Sequence, residues 1–129
     1  MFKSAHLTAL FICLSTASAL AQIGETLPQL TSRYGAPTGK KGNTFNRAGI
    51  EMVVTLDKDG KAKVISYTRR DDKSNDGQAH LTKQEVESFL KVNGKDWKLV
   101  DGKTSEWETK DKSASASYQA KFLTVAKLK

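Results

Sequence analysis

Cysteine and histidine are almost absent from this chain of 129 residues. It has one cysteine, Cys13, and two histidines, and it contains neither a His-x3-His pair nor a pair of cysteines. A single cysteine cannot form an internal disulfide, so a disulfide-stapled scaffold is excluded. Metal sites that depend on those ligand spacings are excluded as well. The length predicts one small domain and excludes a multidomain enzyme.

Long apolar runs are also missing, and the one near the N-terminus is short. Residues 1–21 combine Lys3, an apolar run over 7–14, and a small-x-small sequence formed by Ala19 and Ala21. That order is typical of a secretory signal, and the run is too short to span a bilayer as a helix. The alternative is a buried N-terminal helix. Cleavage after Ala21 would leave 108 residues without Cys13, exported to the periplasm or the extracellular space and not membrane-spanning.

Basic residues outnumber acidic ones by 21 to 14, and the excess lies in the first half. Residues 22–70 hold nine basic and four acidic side chains, whereas residues 71–129 hold eleven and ten. Attraction to anions is therefore expected of the first half. No nucleic-acid-binding motif accompanies these dispersed charges, so we expect an anionic envelope component rather than a nucleic acid as the charged partner.

Two capping boxes mark the starts of two predicted helices. Thr26 with Gln29, and Thr82 with Glu85, have the spacing at which side chain and backbone satisfy each other. Apolar residues recur at helical spacing after each box, and the Gly-Ala-Pro sequence at 35–37 ends the first helix.

Alternation of apolar and polar residues predicts the strands. The ranges with this pattern are 44–46, 50–56, 61–70, 105–110, 114–120 and 122–128. A turn ending in Gly60 joins the second and third of them as a hairpin. Trp97 is assigned to the loop after the second helix.

The expected fold class is α+β, with two tandem helix-then-three-strand units forming one antiparallel sheet and both helices packed on one face. Residues 1–21 are the expected signal peptide and 22–129 a single α+β domain. The pseudo-repeat covers 22–70 and 79–129, with a linker at 71–78. The alternative is that the similarity of the halves is coincidental, because helix-then-hairpins is a common order.

The order of a helix, a Gly-x-Pro turn and strands around an Asp-x-Asp-Gly hairpin resembles a known fold group. It is similar to the fold shared by beta-lactamase inhibitor proteins and the small lipoprotein of the outer-membrane barrel-assembly machinery. The matching positions are Ile23-Gly24-Glu25-Thr26, Leu30, Tyr34-Gly35-Ala36-Pro37 and residues 53–67 around Gly60. The resemblance implies a fold and no activity, because the acylated cysteine of the lipoprotein and the disulfides of the inhibitors are absent.

Residues 22–129 also resemble short exported bacterial proteins of unknown function. In these a second helix precedes Trp-rich strands, here with Trp97, Trp107 and Tyr118.

The residue content favours binding over catalysis. His80 is the one histidine outside the predicted signal, and a Ser-His-Asp arrangement would need Asp76 with Ser74 or Ser88. Serine and aspartate are too common in loops for that pattern to indicate an active site. We assign no catalytic, cofactor-binding or metal-binding residues. A small exported hydrolase-type enzyme and a structural envelope protein are the alternatives.

One face of the predicted sheet is a candidate binding surface. The apolar row at positions 50, 52, 54 and 56 is assigned to the core. The opposite face is expected to mix tyrosine, arginine and branched apolar residues, as protein interfaces do. Its candidate residues are Glu51, Val53, Lys63, Ile65, Tyr67 and Arg69. The alternative is that Ile65 and Tyr67 face the core while Ser66 and Thr68 face water. The expected function is that of an exported, non-enzymatic module binding a protein or envelope component through this open face.

Overall fold

The computed structural model describes residues 22–70 and 80–129. The predicted signal peptide and the linker at 71–78 lie outside these ranges. Helix α1 spans Leu27–Tyr34 and helix α2 spans Lys83–Asn93. Both predicted capping boxes form. The Thr82 hydroxyl accepts the Glu85 N–H at 3.1 Å, while the Glu85 carboxylate accepts the Thr82 N–H at 2.9 Å. In the described part of the chain, neither helix is long and apolar enough to cross a membrane.

Seven strands form one antiparallel sheet. They are β1 (Thr44–Arg47), β2 (Ile50–Leu56), β3 (Ala62–Arg69), β4 (Trp97–Leu99), β5 (Glu106–Thr109), β6 (Ala114–Gln119) and β7 (Phe122–Lys127). The order across the sheet is β1-β2-β3-β7-β6-β5-β4. The last strand of each half therefore pairs with the other at the centre. The expected mixture of helices with a single antiparallel sheet is confirmed.

The second half contains four strands, so the prediction of three is wrong. Trp97 begins β4, where it lies opposite Thr109, and is not part of a loop. Its indole N–H also donates to the Leu90 carbonyl at the end of α2, at 2.6 Å. A strand of three residues at the sheet edge is too short to show a period of two in the sequence.

The hairpin between β2 and β3 contains a β-bulge at Lys63. The Asp57 carboxylate accepts the N–H of Lys61 at 3.0 Å and so closes the turn. Leu56 then pairs with Ala62, but Thr55 pairs with Val64, which leaves Lys63 opposite no partner. One extra residue in a strand shifts the pairing by one residue. Each side chain beyond the bulge then points to the opposite face from the one it would otherwise occupy.

The bulge brings Ile65 and Tyr67 opposite Val54 and Met52, and all four side chains are completely buried. We call the sheet face that carries these four residues the core face. Each of these buried side chains contributes about 1.5–3 kcal/mol relative to an exposed one.

Both helices contact residues of the core face. The Phe89 ring of α2 stacks on the Tyr67 ring with centroids 4.3 Å apart, and Asn93 donates from Nδ2 to the Tyr67 hydroxyl at 2.9 Å. The Tyr34 ring of α1 lies 6.0 Å from that of Phe45, which pairs with the buried residue Met52.

Candidate functional site

The six predicted binding residues do not share one face. Ile65 and Tyr67 are buried in the core, and Tyr67 lies directly opposite Met52. Burial raises the pKa of the Tyr67 hydroxyl far above its usual value. Arg69 belongs to the same row and forms an ion pair with Glu85 of α2. The grouping of these residues on an exposed face is therefore wrong. The alternative is correct in placing Ile65 and Tyr67 in the core, but it is wrong in turning Thr68 towards water, because Thr68 is buried.

The remaining three candidates lie elsewhere. Glu51 and Val53 alternate with the buried residues of β2 and face the opposite way, and both are half-buried. Lys63 is exposed at the bulge, outside the regular pairing. We call the side of the sheet that carries Glu51 and Val53 the second face.

Small side chains dominate the second face. The strand registers place six residues in one continuous row across β1, β2, β3, β7, β6 and β5. These are Thr44, Val53, Ser66, Thr124, Ser117 and Glu106. The hydroxyl oxygens of Ser66 and Thr124 lie 3.2 Å apart across β3 and β7. Next to them, a depression of about 410 Å³ lies over β5, β6 and β7.

The second face also carries two large exposed apolar side chains. Phe122 begins β7 and Leu128 directly follows its last residue, and they are 40% and 52% exposed. They alternate with the buried residues Leu123 and Val125, so they belong to the second face. In the described ranges only Leu99, at 47%, is a comparably exposed large apolar residue, and it lies on edge strand β4. Sequence reasoning missed Phe122 and Leu128, although the alternation along β7 contains the signal.

The three acidic side chains that the strand registers place on the second face are paired. Glu51 forms an ion pair with Arg70 at 3.0 Å, Glu108 with Lys112, and Glu106 with Lys103 at 3.8 Å. The basic excess of the sequence is therefore not concentrated on this face.

Lysines instead gather at one end of the sheet. The pairings of Val64 with Ala126 and of Ala114 with Lys127 bring three distant segments together. The lysines of these segments are Lys58, Lys61, Lys63, Lys112, Lys127 and Lys129, and we call this region the lysine end. The pKa of the Asp57 carboxyl is lowered here, chiefly by the hydrogen bond from the Lys61 N–H and further by the charges of Lys127 and Lys61.

The residues of the hydrolase alternative form no recognised site in the described part of the chain. His80 Nδ1 lies 3.1 Å from the carbonyl oxygen of Leu81, while Ser88 is an exposed residue of α2. Ser74 and Asp76 lie outside the described residues. Within residues 22–70 and 80–129, no group of three potential metal ligands occurs.

Comparisons of this chain with models of protein families, with curated proteins and with solved structures find no match. A functional proposal for the chain consequently depends on its own geometry, and the resemblance to the beta-lactamase inhibitor fold group stays a prediction.

Proposed function

We propose that this chain is an exported, non-enzymatic interaction module that binds a partner protein through the second face of its sheet. The observation that carries the proposal is the exposure of Phe122, at the start of the central strand β7, and of Leu128, directly after its end. Two large apolar side chains are exposed there, on a face whose central strands carry mainly serine, threonine and alanine.

The proposal requires that the helices leave the second face uncovered. We propose that the chain consists of two tandem helix-then-strand units whose helices both pack on the core face. The stacking of Phe89 on Tyr67 and the contact between Tyr34 and Phe45 support this arrangement. An antiparallel sheet covered on one side commonly leaves its other side exposed.

The shape of the second face favours a partner with protruding side chains. Serine, threonine and alanine along β3, β6 and β7 keep the sheet surface low between the two apolar anchors. Six residues along a strand separate these anchors by roughly 20 Å, so they span a surface patch of protein-interface dimensions. Large apolar anchors surrounded by weakly interacting residues are typical of binding hot spots.

Site-specific photo-crosslinking of the exported protein would test this proposal. A photoreactive residue at Thr124 should yield a defined adduct with a partner from the periplasmic fraction, whereas one at Gln84 on α2 should not. The double variant Phe122→Ser, Leu128→Ser should lose the adduct.

The matched control is Leu99→Ser, because it removes an equally exposed apolar side chain from edge strand β4. The proposal is wrong if Leu99→Ser and the double variant reduce crosslinking equally, provided that circular dichroism shows both to be folded. Mass spectrometry of the exported product should find Gln22 at its N-terminus if residues 1–21 are a signal peptide.

An anionic envelope component is the second candidate partner, and the lysine end favours it. Six lysines from three segments lie at one end of the sheet. One of them, Lys112, is paired with Glu108, while Asp57 and Asp111 are engaged in turn hydrogen bonds. Clustered cations raise the local concentration of polyanions, in a manner that added salt screens.

Sedimentation with vesicles would separate this candidate from the first. Binding to vesicles containing phosphatidylglycerol should exceed binding to pure phosphatidylcholine, and the triple variant K58Q, K61Q, K63Q should reduce it. The control K40Q, K41Q, K83Q removes the same charge from other parts of the surface. Equal losses in the two triple variants would show a net-charge effect and reject the lysine end as a site.

The hydrolase alternative has a direct test in the same protein. Activity on a hydrolase substrate panel that disappears in His80→Ala would replace the proposal of a non-enzymatic module.

A further inference from the structure

A cleft of about 520 Å³ opens on the helix side of the sheet, between the β1–β2 turn and α2. This volume falls within the range of roughly 300–1,000 Å³ that ligand sites occupy. The cleft lies on the opposite side of the sheet from Phe122 and Leu128, so an occupant of it would be independent of the proposed protein partner.

The cleft combines an apolar floor with a polar rim. Ile50 and Met52 of β2 and Phe89 of α2 supply the floor. The exposed side chains of Gln84 and Ser88 supply one wall from α2, and Arg47 stands across from them at the end of β1. An apolar body with one polar end would match both parts of this lining.

The charge of the lining favours an anion. Glu85 contributes a negative charge, but Arg69 neutralises it in an ion pair at the base of the cleft. Arg47 forms no ion pair within the described ranges, and its guanidinium lies 5.9 Å from the centre of the Tyr34 ring. Arg47 therefore supplies a positive charge to the lining that no carboxylate of the described ranges pairs with, and it is held beside an aromatic ring.

We propose that this cleft binds a small monoanionic amphiphile, with its apolar body on the floor and its carboxylate at Arg47. The commitment to a carboxylate follows from the planar guanidinium, which matches carboxylate geometry.

Titration of 15N-labelled protein with dodecanoate below its micelle concentration tests this proposal. Saturable chemical-shift changes are expected at residues 47–52 and 84–89. Dodecyltrimethylammonium carries the same apolar body with the opposite charge and should bind at least tenfold more weakly.

Two variants examine the two parts of the site. Arg47→Gln should weaken dodecanoate binding about tenfold, because it removes the charge while keeping a side chain of similar length. Ser88→Phe should abolish binding by filling the cleft. Both positions are exposed, so we expect both variants to fold.

Arg70→Gln is the matched control, because it removes a guanidinium from the second face. Unchanged binding in Arg70→Gln with weaker binding in Arg47→Gln supports the site. Equal losses in the two variants, equal binding of the cationic probe, or no saturable shifts at millimolar dodecanoate would each overturn it. None of these outcomes depends on the protein partner of the second face.

Discussion

The two faces of the sheet differ in the size of the side chains that they carry. The core face buries tyrosine, methionine and branched aliphatic residues, with Phe89 stacked on Tyr67, whereas the row on the second face consists of serine, threonine and valine residues and Glu106. In this chain the large side chains lie mainly on the core face, where their burial stabilises the fold. The surface proposed for binding carries few side chains that stabilise the fold. Substitutions on the second face should therefore change recognition more than stability.

Adjacent residues in β3 and directly after its end provide matched pairs for testing this difference. Ser66 and Tyr67, like Arg69 and Arg70, are neighbours in sequence and lie on opposite faces. The two members of a pair occupy the same stretch of the chain. A difference between the effects of their substitutions on the free energy of unfolding therefore reflects the face of the sheet on which each side chain lies.

The largest contrast is expected between Tyr67→Ala and Ser66→Ala. Tyr67→Ala removes a completely buried ring that stacks on Phe89, and it should cost about 3–5 kcal/mol of unfolding free energy. Ser66→Ala removes a half-buried hydroxyl and should cost less than about 1 kcal/mol. Urea denaturation measures both. Similar costs would show that the second face carries as much stability as the core face.

The two arginines should differ by a smaller amount. Arg69, 9% exposed, pairs with Glu85 on the helix side, and Arg69→Gln should cost about 2 kcal/mol because it leaves a partly desolvated carboxylate. Arg70, 60% exposed, pairs with Glu51, and Arg70→Gln should cost less than about 0.5 kcal/mol. Added salt should weaken only the Arg70 effect. A cost at Arg70 equal to that at Arg69 contradicts the assignment of faces.

Tyr67→Phe isolates the buried hydroxyl from the ring. The variant keeps the stacking on Phe89 but removes the acceptor for Asn93 Nδ2, so it should cost about 1–2 kcal/mol at neutral pH.

The same variant should change stability at alkaline pH. Burial raises the pKa of Tyr67 in the folded state, so its stabilising contribution is complete below about pH 10, where the unfolded tyrosine is still protonated, and falls as pH rises beyond that. Chemical denaturation from pH 8 to 11 should show a shallower loss of stability in Tyr67→Phe than in the wild type. Identical slopes would mean that Tyr67 does not contribute to alkaline unfolding.

The smallest effect concerns an exception on the second face. Thr68 is buried, and its hydroxyl donates to the Lys121 carbonyl at 3.0 Å. Thr68→Val conserves shape and should cost about 1 kcal/mol through the lost hydrogen bond. Thr124→Val on the same face should cost less than about 0.5 kcal/mol, because Thr124 and its neighbour Ser66 are both half-buried, so that water can replace the contact between their hydroxyls. Thermal denaturation of both variants would distinguish the structural position from the surface one.

Local chemistry explains which elements could be predicted from the sequence. Both capping boxes and strand β2 depend on residues within a few positions of one another, and the structure has them at the predicted places. The face of β3 could not be found in the same way. If Leu56 lies opposite Ala62 and the pairing continues without a bulge, Tyr67 falls on the second face. The unpaired Lys63 shifts the pairing by one residue and so places Tyr67 on the core face.

The candidate surfaces depend on contacts that are distant in sequence. The row from Thr44 to Glu106 needs six strands in register, and the lysine end needs β3 beside β7. The first half of the sequence does contain the excess of basic residues. The sheet order, however, places Lys127 and Lys129 of the second half next to the lysines of the first half. The distribution of charge along the sequence therefore did not predict the distribution of charge over the surface of the folded chain.

Lys63 determines which side chains of β3 face the core, although it pairs with no residue of β2. Its side chain is exposed, so many residue types would serve at this position, but the presence of a residue there decides whether Ile65 and Tyr67 enter the core or face solvent. The number of residues in the hairpin, and not the identity of residue 63, therefore determines which side chains of β3 face the core. A deletion at position 63 would act on all of β3, whereas a substitution would act on one surface side chain.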